Sequence, residues 1–252
     1  MPRLVTIPIS HYCEKARWAL DRAGISYREE RHVQLVHRVA ARRAGGGATV
    51  PVLVTGHEVI PSSREILVWS DARLARTKRL FPAGGGDDDP LRRVCDRLDE
   101  VLGPAGRRLM YVHMLEQRDV ALRYNNQGVP EWEGRAISVA FPLAQRFISR
   151  ALGIHPGVER EDERIVFAEL DQVSALLLDG RPYLSGEHFG AADLTFAAMA
   201  ASVVFPPVYG VRLPQPGELA PPTAALVERA RAHPAGEHAM KMFARHRYER
   251  VV

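Results

Sequence analysis

The sequence predicts two regions of different class: an N-terminal α/β region in which short strands alternate with helices, and a C-terminal region that is all-α. Three observations point there. At 252 residues, the chain exceeds the roughly 100 to 200 residues that one ordinary core fills. Before residue 80 the apolar pattern switches between strand-like runs and helical periods, whereas after Pro90 it is helical almost throughout. Between them Phe81 to Pro90 reads FPAGGGDDDP, a glycine and aspartate stretch that interrupts every hydrophobic period. The expected division is therefore residues 1–80, a linker at 81–89, and residues 90–252.

Leu4 to Ile9 reads as the first strand. Ser10 to Ala23 reads as a helix, with Tyr12, Ala16, Ala19 and Ala23 on one face and Gly24 to end it. Tyr27 to Val33 is a second strand, and Gln34 to Arg43 a short helix ahead of Gly45-Gly46-Gly47. Val50 to Val54 and Glu58 to Ile60 form a hairpin around Thr55-Gly56-His57, and Ser63 to Leu74 a third helix. Asp89-Pro90 opens the helical region, because aspartate caps free amides and proline suits the first helical position. That helix runs to Leu102. Val166, Leu170, Val173 and Leu177 mark an amphipathic helix ending near Gly180. Ala191 to Val204, Thr223 to Ala232 and Glu237 to Arg250 complete the helices, with a proline-rich loop from Leu213 to Pro222. Tyr124 to Glu133 and Ala151 to Gly157 read as loops.

Composition narrows the class. With 46% hydrophobic and 25% charged residues the chain is that of a soluble globular protein. Leu194 to Val211 lacks any charge, but Thr195, Ser202 and Pro206-Pro207 interrupt it, so a buried helix is expected and no membrane span. Residues 1 to 80 hold 14 Lys and Arg against 7 Asp and Glu, giving +7, while the remainder holds 20 against 23, giving −3. This favours a small anionic partner at the N-terminal region; scattered arginines without a basic run do not suit nucleic acid. Two cysteines allow no disulfide framework, and the opening MPRLVTIPISHYCEK has no apolar stretch of signal-peptide length, so a reducing cytoplasm is expected. No metal site is expected, since the ten histidines form no H-x-x-x-H pair. Serine-hydrolase and P-loop motifs are missing too.

Four patterns bear on function. Ser10-His11-Tyr12-Cys13-Glu14-Lys15-Ala16-Arg17 opens the first helix, Thr49-Val50-Pro51-Val52-Leu53 opens the hairpin, and Ile60-Pro61-Ser62-Ser63-Arg64-Glu65-Ile66 leads into the third helix. In the helical region Arg181-Pro182-Tyr183-Leu184-Ser185-Gly186 precedes Phe189-Gly190-Ala191-Ala192-Asp193-Leu194. In this order they resemble the cytosolic glutathione transferases, in a serine- or cysteine-type, bacterial-like form. The resemblance implies a thioredoxin-like α/β N-terminal domain that binds glutathione, and an all-α C-terminal domain that carries an electrophile pocket. It also implies a cytoplasmic homodimer acting in detoxification, with glutathione as co-substrate.

An unperturbed thiol, with a pKa of about 8.5, is mostly protonated at neutral pH. A hydroxyl at a helix N-terminus stabilises the thiolate by its own hydrogen bond and by the free amides around it. Ser10 is the candidate, although a serine there also simply caps the helix. Ser10-x-x-Cys13 is a C-x-x-C pair with its first cysteine replaced, so Cys13 is the alternative catalytic residue, for glutathione-dependent thiol-disulfide exchange; a small packed residue is its other reading. His11 and Tyr12 lie within reach of the sulfur. By resemblance Pro51 is cis and Val50 pairs with the cysteinyl part of glutathione, while Ser62 and Ser63 receive its γ-glutamyl end. Ser62 and Glu65 also form a capping box, and Ser62 stands where the family most often has an acid. His37 and Arg38 stand near the family's basic residue for the glycyl carboxylate, with Arg42 and Arg43 as competitors. Met110, Tyr111, Met114 and Trp132 are candidates for the apolar pocket. Gly190 and Asp193 have a folding role. A non-catalytic binding or regulatory protein on the same fold remains a different class of function.

Overall fold

The computed structural model describes residues 1–82 and 89–251. Most of the expected linker, residues 83–88, lies outside the described residues. Strands β1 (Arg3–Thr6), β2 (Arg28–Arg31), β3 (Val52–Val54) and β4 (Val59–Ile60) form one sheet in the order β2-β1-β3-β4. β1 pairs parallel with β2 and antiparallel with β3, with Leu4 opposite Leu53 and Val5 opposite Val52. That register and the two-residue pleat send Leu4 and Leu53 to one face, and Val5 and Val52 to the other. The first face packs on Ala16, Leu20 and Ile66 of helices α1 (His11–Arg22) and α3 (Ser63–Asp71). The second packs on Ala41 and Ala44, at the end of α2 (Val36–Arg43). This is a thioredoxin-like layer. β2 reads REER, a charged edge strand of the kind that discourages pairing with another chain.

The rest of the described chain is helical: α4 (Pro90–Arg97), α5 (Gly103–Glu116), α6 (Arg118–Asn125), α7 (Glu131–Val139), α8 (Phe141–Leu152), α9 (Val158–Leu176), α10 (Ala191–Val204), α11 (Pro221–Ala232) and α12 (Pro234–His246). Asp89 caps α4, its Oδ1 accepting from the Leu91 amide at 2.9 Å. The expected loop at Tyr124 to Glu133 shrinks to 126–130, because α6 and α7 take its ends. Burial decides this: Tyr124 and Glu133 are each 1% exposed, and Glu133 accepts from the Val33 amide at 3.0 Å and meets His32 Nδ1 at 2.7 Å. Likewise Ala151 and Leu152 close α8.

Every residue of α10 is buried, as a helix apolar on all sides must be. Its first turn is held by Asp193, whose carboxylate accepts from the amides of Gly190 (3.0 Å) and Leu184 (2.6 Å). One continuous core joins α10 to Trp18 and Leu67 of the first region. α1 is also tied to the helices by buried charge. Lys15 Nζ meets Asp99 Oδ2 at 2.7 Å, and Glu14 accepts from the Gly210 amide at 3.0 Å while pairing with Arg247. Each charge is thus desolvated only against a partner.

Candidate functional site

β1 delivers the chain to Ile7-Pro8-Ile9-Ser10, and Ser10 caps α1 in extended conformation, its Oγ accepting from the Cys13 amide at 3.4 Å. Directly above this start lies a cavity of about 310 Å³. Its floor comes from the N-terminal region: Ser10, His11, Tyr12, Gln34, His37 and Arg38, with Thr49 and Val50 at one side. Its wall comes from the helices: Arg107, Met110, Tyr111 and Met114 of α5, Phe147 and Ile148 of α8, and the turn after α10 at Phe205.

His11 is 5% exposed with its Nε2 unpartnered. Burial first, then the charge of Arg107, push its pKa from 6.5 down to about 3, so it is a neutral imidazole at physiological pH. Tyr12 donates its Oη hydrogen to the Asp99 carbonyl at 2.8 Å. Asp99 lies in a π-type turn, Leu98–Leu102, and such turns leave backbone carbonyls open to other donors. Desolvation pushes the Tyr12 phenol up to about 12, so it acts as a neutral donor already committed to backbone. Gly103 makes this contact possible, since a Cβ there would overlap Tyr12 Oη. Gln34 bridges floor and wall, donating to Tyr111 Oη at 3.1 Å and to Asn125. Burial lowers His37 to about 4, the nearby Arg38 charge adding to the effect.

Backbone strain gathers here. Among the described residues two non-glycine positions have positive φ, Leu35 (75°) and Phe205 (43°), and both line the cavity. Such conformations persist only where surroundings enforce them. At Phe205 the enforcement is visible: Arg231 donates to the carbonyls of Val204 (2.7 Å) and Phe205 (2.5 Å).

Residues 4–76 match the family model described as glutathione S-transferase, N-terminal domain. This segment is a glutathione S-transferase N-terminal domain. Among curated proteins none matches the chain. Among solved structures, a glutathione transferase from Phanerochaete chrysosporium is similar at 17% identity and a TM-score of 0.62, covering 100% of this chain and 98% of that one. A glutathione S-transferase from Ceriporiopsis subvermispora in complex with glutathione gives 16%, 0.63, 100% and 98%, and one from Methylobacillus flagellatus with GSH bound gives 16%, 0.62, 99% and 98%. The whole described chain therefore has the glutathione S-transferase fold.

Within that fold, Ser10, His11, Tyr12, His37, Arg38 and Val50 meet at one cavity, and Met110, Tyr111 and Met114 face them. The Val50-Pro51 peptide is cis. Cys13 stands apart. It is fully buried, and desolvation raises its thiol pKa, the environment of an inert packed cysteine. Ser62 and Ser63 open α3 beyond the cavity lining. Ser62 accepts from the Glu65 amide at 3.1 Å and donates to its carboxylate at 2.9 Å, and Ser63 is 5% exposed. Trp132, expected in the apolar pocket, is instead 62% exposed on α7, because Glu133 is the residue of that turn that the fold draws inward. Arg42 and Arg43 are exposed and away from the cavity. Sequence reading missed Arg107, Gln34, Phe147 and Phe205. For Arg107 a signal existed: 107, 110, 111 and 114 fall at i, i+3, i+4 and i+7, one helix face. The others came together through packing alone. Among the described residues no group of three His, Cys, Asp or Glu is placed to hold a metal ion, and no helix is long and apolar enough to cross a membrane.

Proposed function

We propose that this chain is a glutathione transferase in which Ser10 stabilises the thiolate of bound glutathione for attack on a hydrophobic electrophile. One observation carries the reading: the Ser10 hydroxyl, at the N-terminus of α1, sits on the floor of a cavity whose facing wall is largely apolar. The hydroxyl donates to the sulfur, the helix start adds its positive dipole end, and the thiol proton leaves to solvent. Val50 beside the cis bond would hold the cysteinyl part, and Arg38 or His37 the glycyl carboxylate. Residues 1–80 would then serve glutathione and residues 90–252 the electrophile, in a cytoplasmic homodimer engaged in detoxification. The burial of Cys13 weighs against thiol-disulfide exchange.

The test is Ser10→Ala against Ser10→Thr. Loss of the hydroxyl should raise the pKa of bound glutathione and lower turnover of an aryl halide by roughly tenfold or more, the scale of one charge-assisted hydrogen bond. Glutathione affinity should stay within about twofold, since the remaining contacts hold the tripeptide. Ser10→Thr retains both cap and donor and should recover much of the rate, which separates chemistry from the cap's roughly 1 kcal/mol of stability. Equal kinetics in all three proteins would remove the serine from the mechanism.

A further inference from the structure

The helical wall of the cavity holds a guanidinium, that of Arg107, which no carboxylate among the described residues answers. Arg107 and Arg108 are neighbours on α5, yet their surroundings differ. Arg108 is bound twice by Asp162, each bond 2.6 Å. Arg107 has no carboxylate at ion-pair distance among the described residues, and its Nε is buried without a hydrogen-bond partner. Its guanidinium lies 5.9 Å over the Tyr12 ring and lines the cavity, where no aspartate or glutamate occurs. A partly desolvated cation without a counterion is costly, and protein interiors normally supply one. Around this cavity the described lining supplies no carboxylate. Arginine presents a rigid fork of donors that matches a carboxylate or sulfonate.

Two cations therefore line this cavity from different sides. Arg38, on the floor, is the one within the glutathione-binding region. Arg107 belongs to the wall with Met110, Met114 and Phe147, the part of the cavity that the transferase reading gives to the second substrate. We infer that this substrate is an organic anion: an electrophile whose carboxylate or sulfonate pairs with Arg107 while its apolar body lies against the helical wall. The inference rests on the transferase reading for the chemistry, in which the glutathione sulfur forms the new S–C bond and the leaving group, a halide for an aryl halide, departs with the bonding pair. The anion site itself stands on geometry alone.

Two measurements separate these claims. In the first, the intact protein is titrated without glutathione with anilinonaphthalene sulfonate and with phenylnaphthylamine, which has the same apolar body and no charge. Arg107→Gln should weaken the sulfonate by roughly tenfold to a hundredfold relative to the neutral probe, and Arg107→Lys should recover part of the difference. Equal effects on both probes, or none, would overturn the anion site. In the second, turnover of a chloronitrobenzoate is compared with that of its methyl ester. The ratio of kcat/KM for acid over ester should fall roughly tenfold or more in Arg107→Gln, and an unchanged ratio would overturn the substrate class. If neither compound is turned over while sulfonate binding still depends on Arg107, the transferase reading fails and the anion site is upheld. Thermal unfolding of both variants guards against misfolding.

Discussion

The floor and the wall of the cavity are built by different means. The floor is local: Ser10, His11 and Tyr12 are consecutive, and a strand end, a helix start and a cis bond position them within about fifty residues of chain. The wall is assembled from α5, α8 and the end of α10, segments that only tertiary packing brings together. The floor is rich in polar groups held by backbone geometry; the wall is apolar apart from Arg107, Tyr111 and Ser202. A catalytic group needs fixed angles, which short-range structure supplies, whereas an apolar pocket needs only volume and surface. On the proposed reading, the groups that meet glutathione can thus be written in short motifs, whereas the facing wall is gathered from separate helices.

The two halves still depend on one another, and the buried pair Lys15–Asp99 is one of the contacts that clamp them. Asp99→Ala strands a buried ammonium, so it should destabilise the protein by about 3–5 kcal/mol, read as a lowered urea midpoint. A midpoint within error of the parent would mean that this pair adds nothing to the hold between floor and wall. A smaller effect probes the field that the wall imposes on the floor. His11 is held neutral by burial and by Arg107, while in the unfolded chain it protonates near 6.5. As pH falls from about 6.5 toward 3 the unfolded state alone gains this proton, so stability is lost, by at most about 1.4 kcal/mol per pH unit from this residue. The loss is absent above that window. His11→Phe should flatten the acid limb of stability against pH by up to this slope, and an identical limb in both proteins would show that His11 titrates normally. The smallest effect is expected at Trp132. As an exposed side chain off the cavity, its replacement by alanine should change stability by no more than about 0.5 kcal/mol and leave KM for the electrophile unaltered. A raised KM would extend the wall to α7.

Short-range pattern was enough for the alternation of strand and helix before residue 80, for the caps at Ser10, Ser62 and Asp89, and for α10 with limits that match to the residue. These features follow from hydrogen-bonding needs of helix ends and from the period of the apolar residues, both of which operate over a few positions. Met110, Tyr111 and Met114 were legible because their spacing is helical, and Arg107 shares that phase. Packing alone settled which face of α5 meets the floor, that Cys13 is sealed beneath Ser10, that Trp132 turns outward while Glu133 turns in, and that Phe147 and Phe205 complete the wall. Such outcomes depend on contacts between segments distant in sequence, as between Gln34 and Tyr111 or Tyr12 and Asp99, where burial of one side chain is decided by the volume left by all the others, and no local period records that sum.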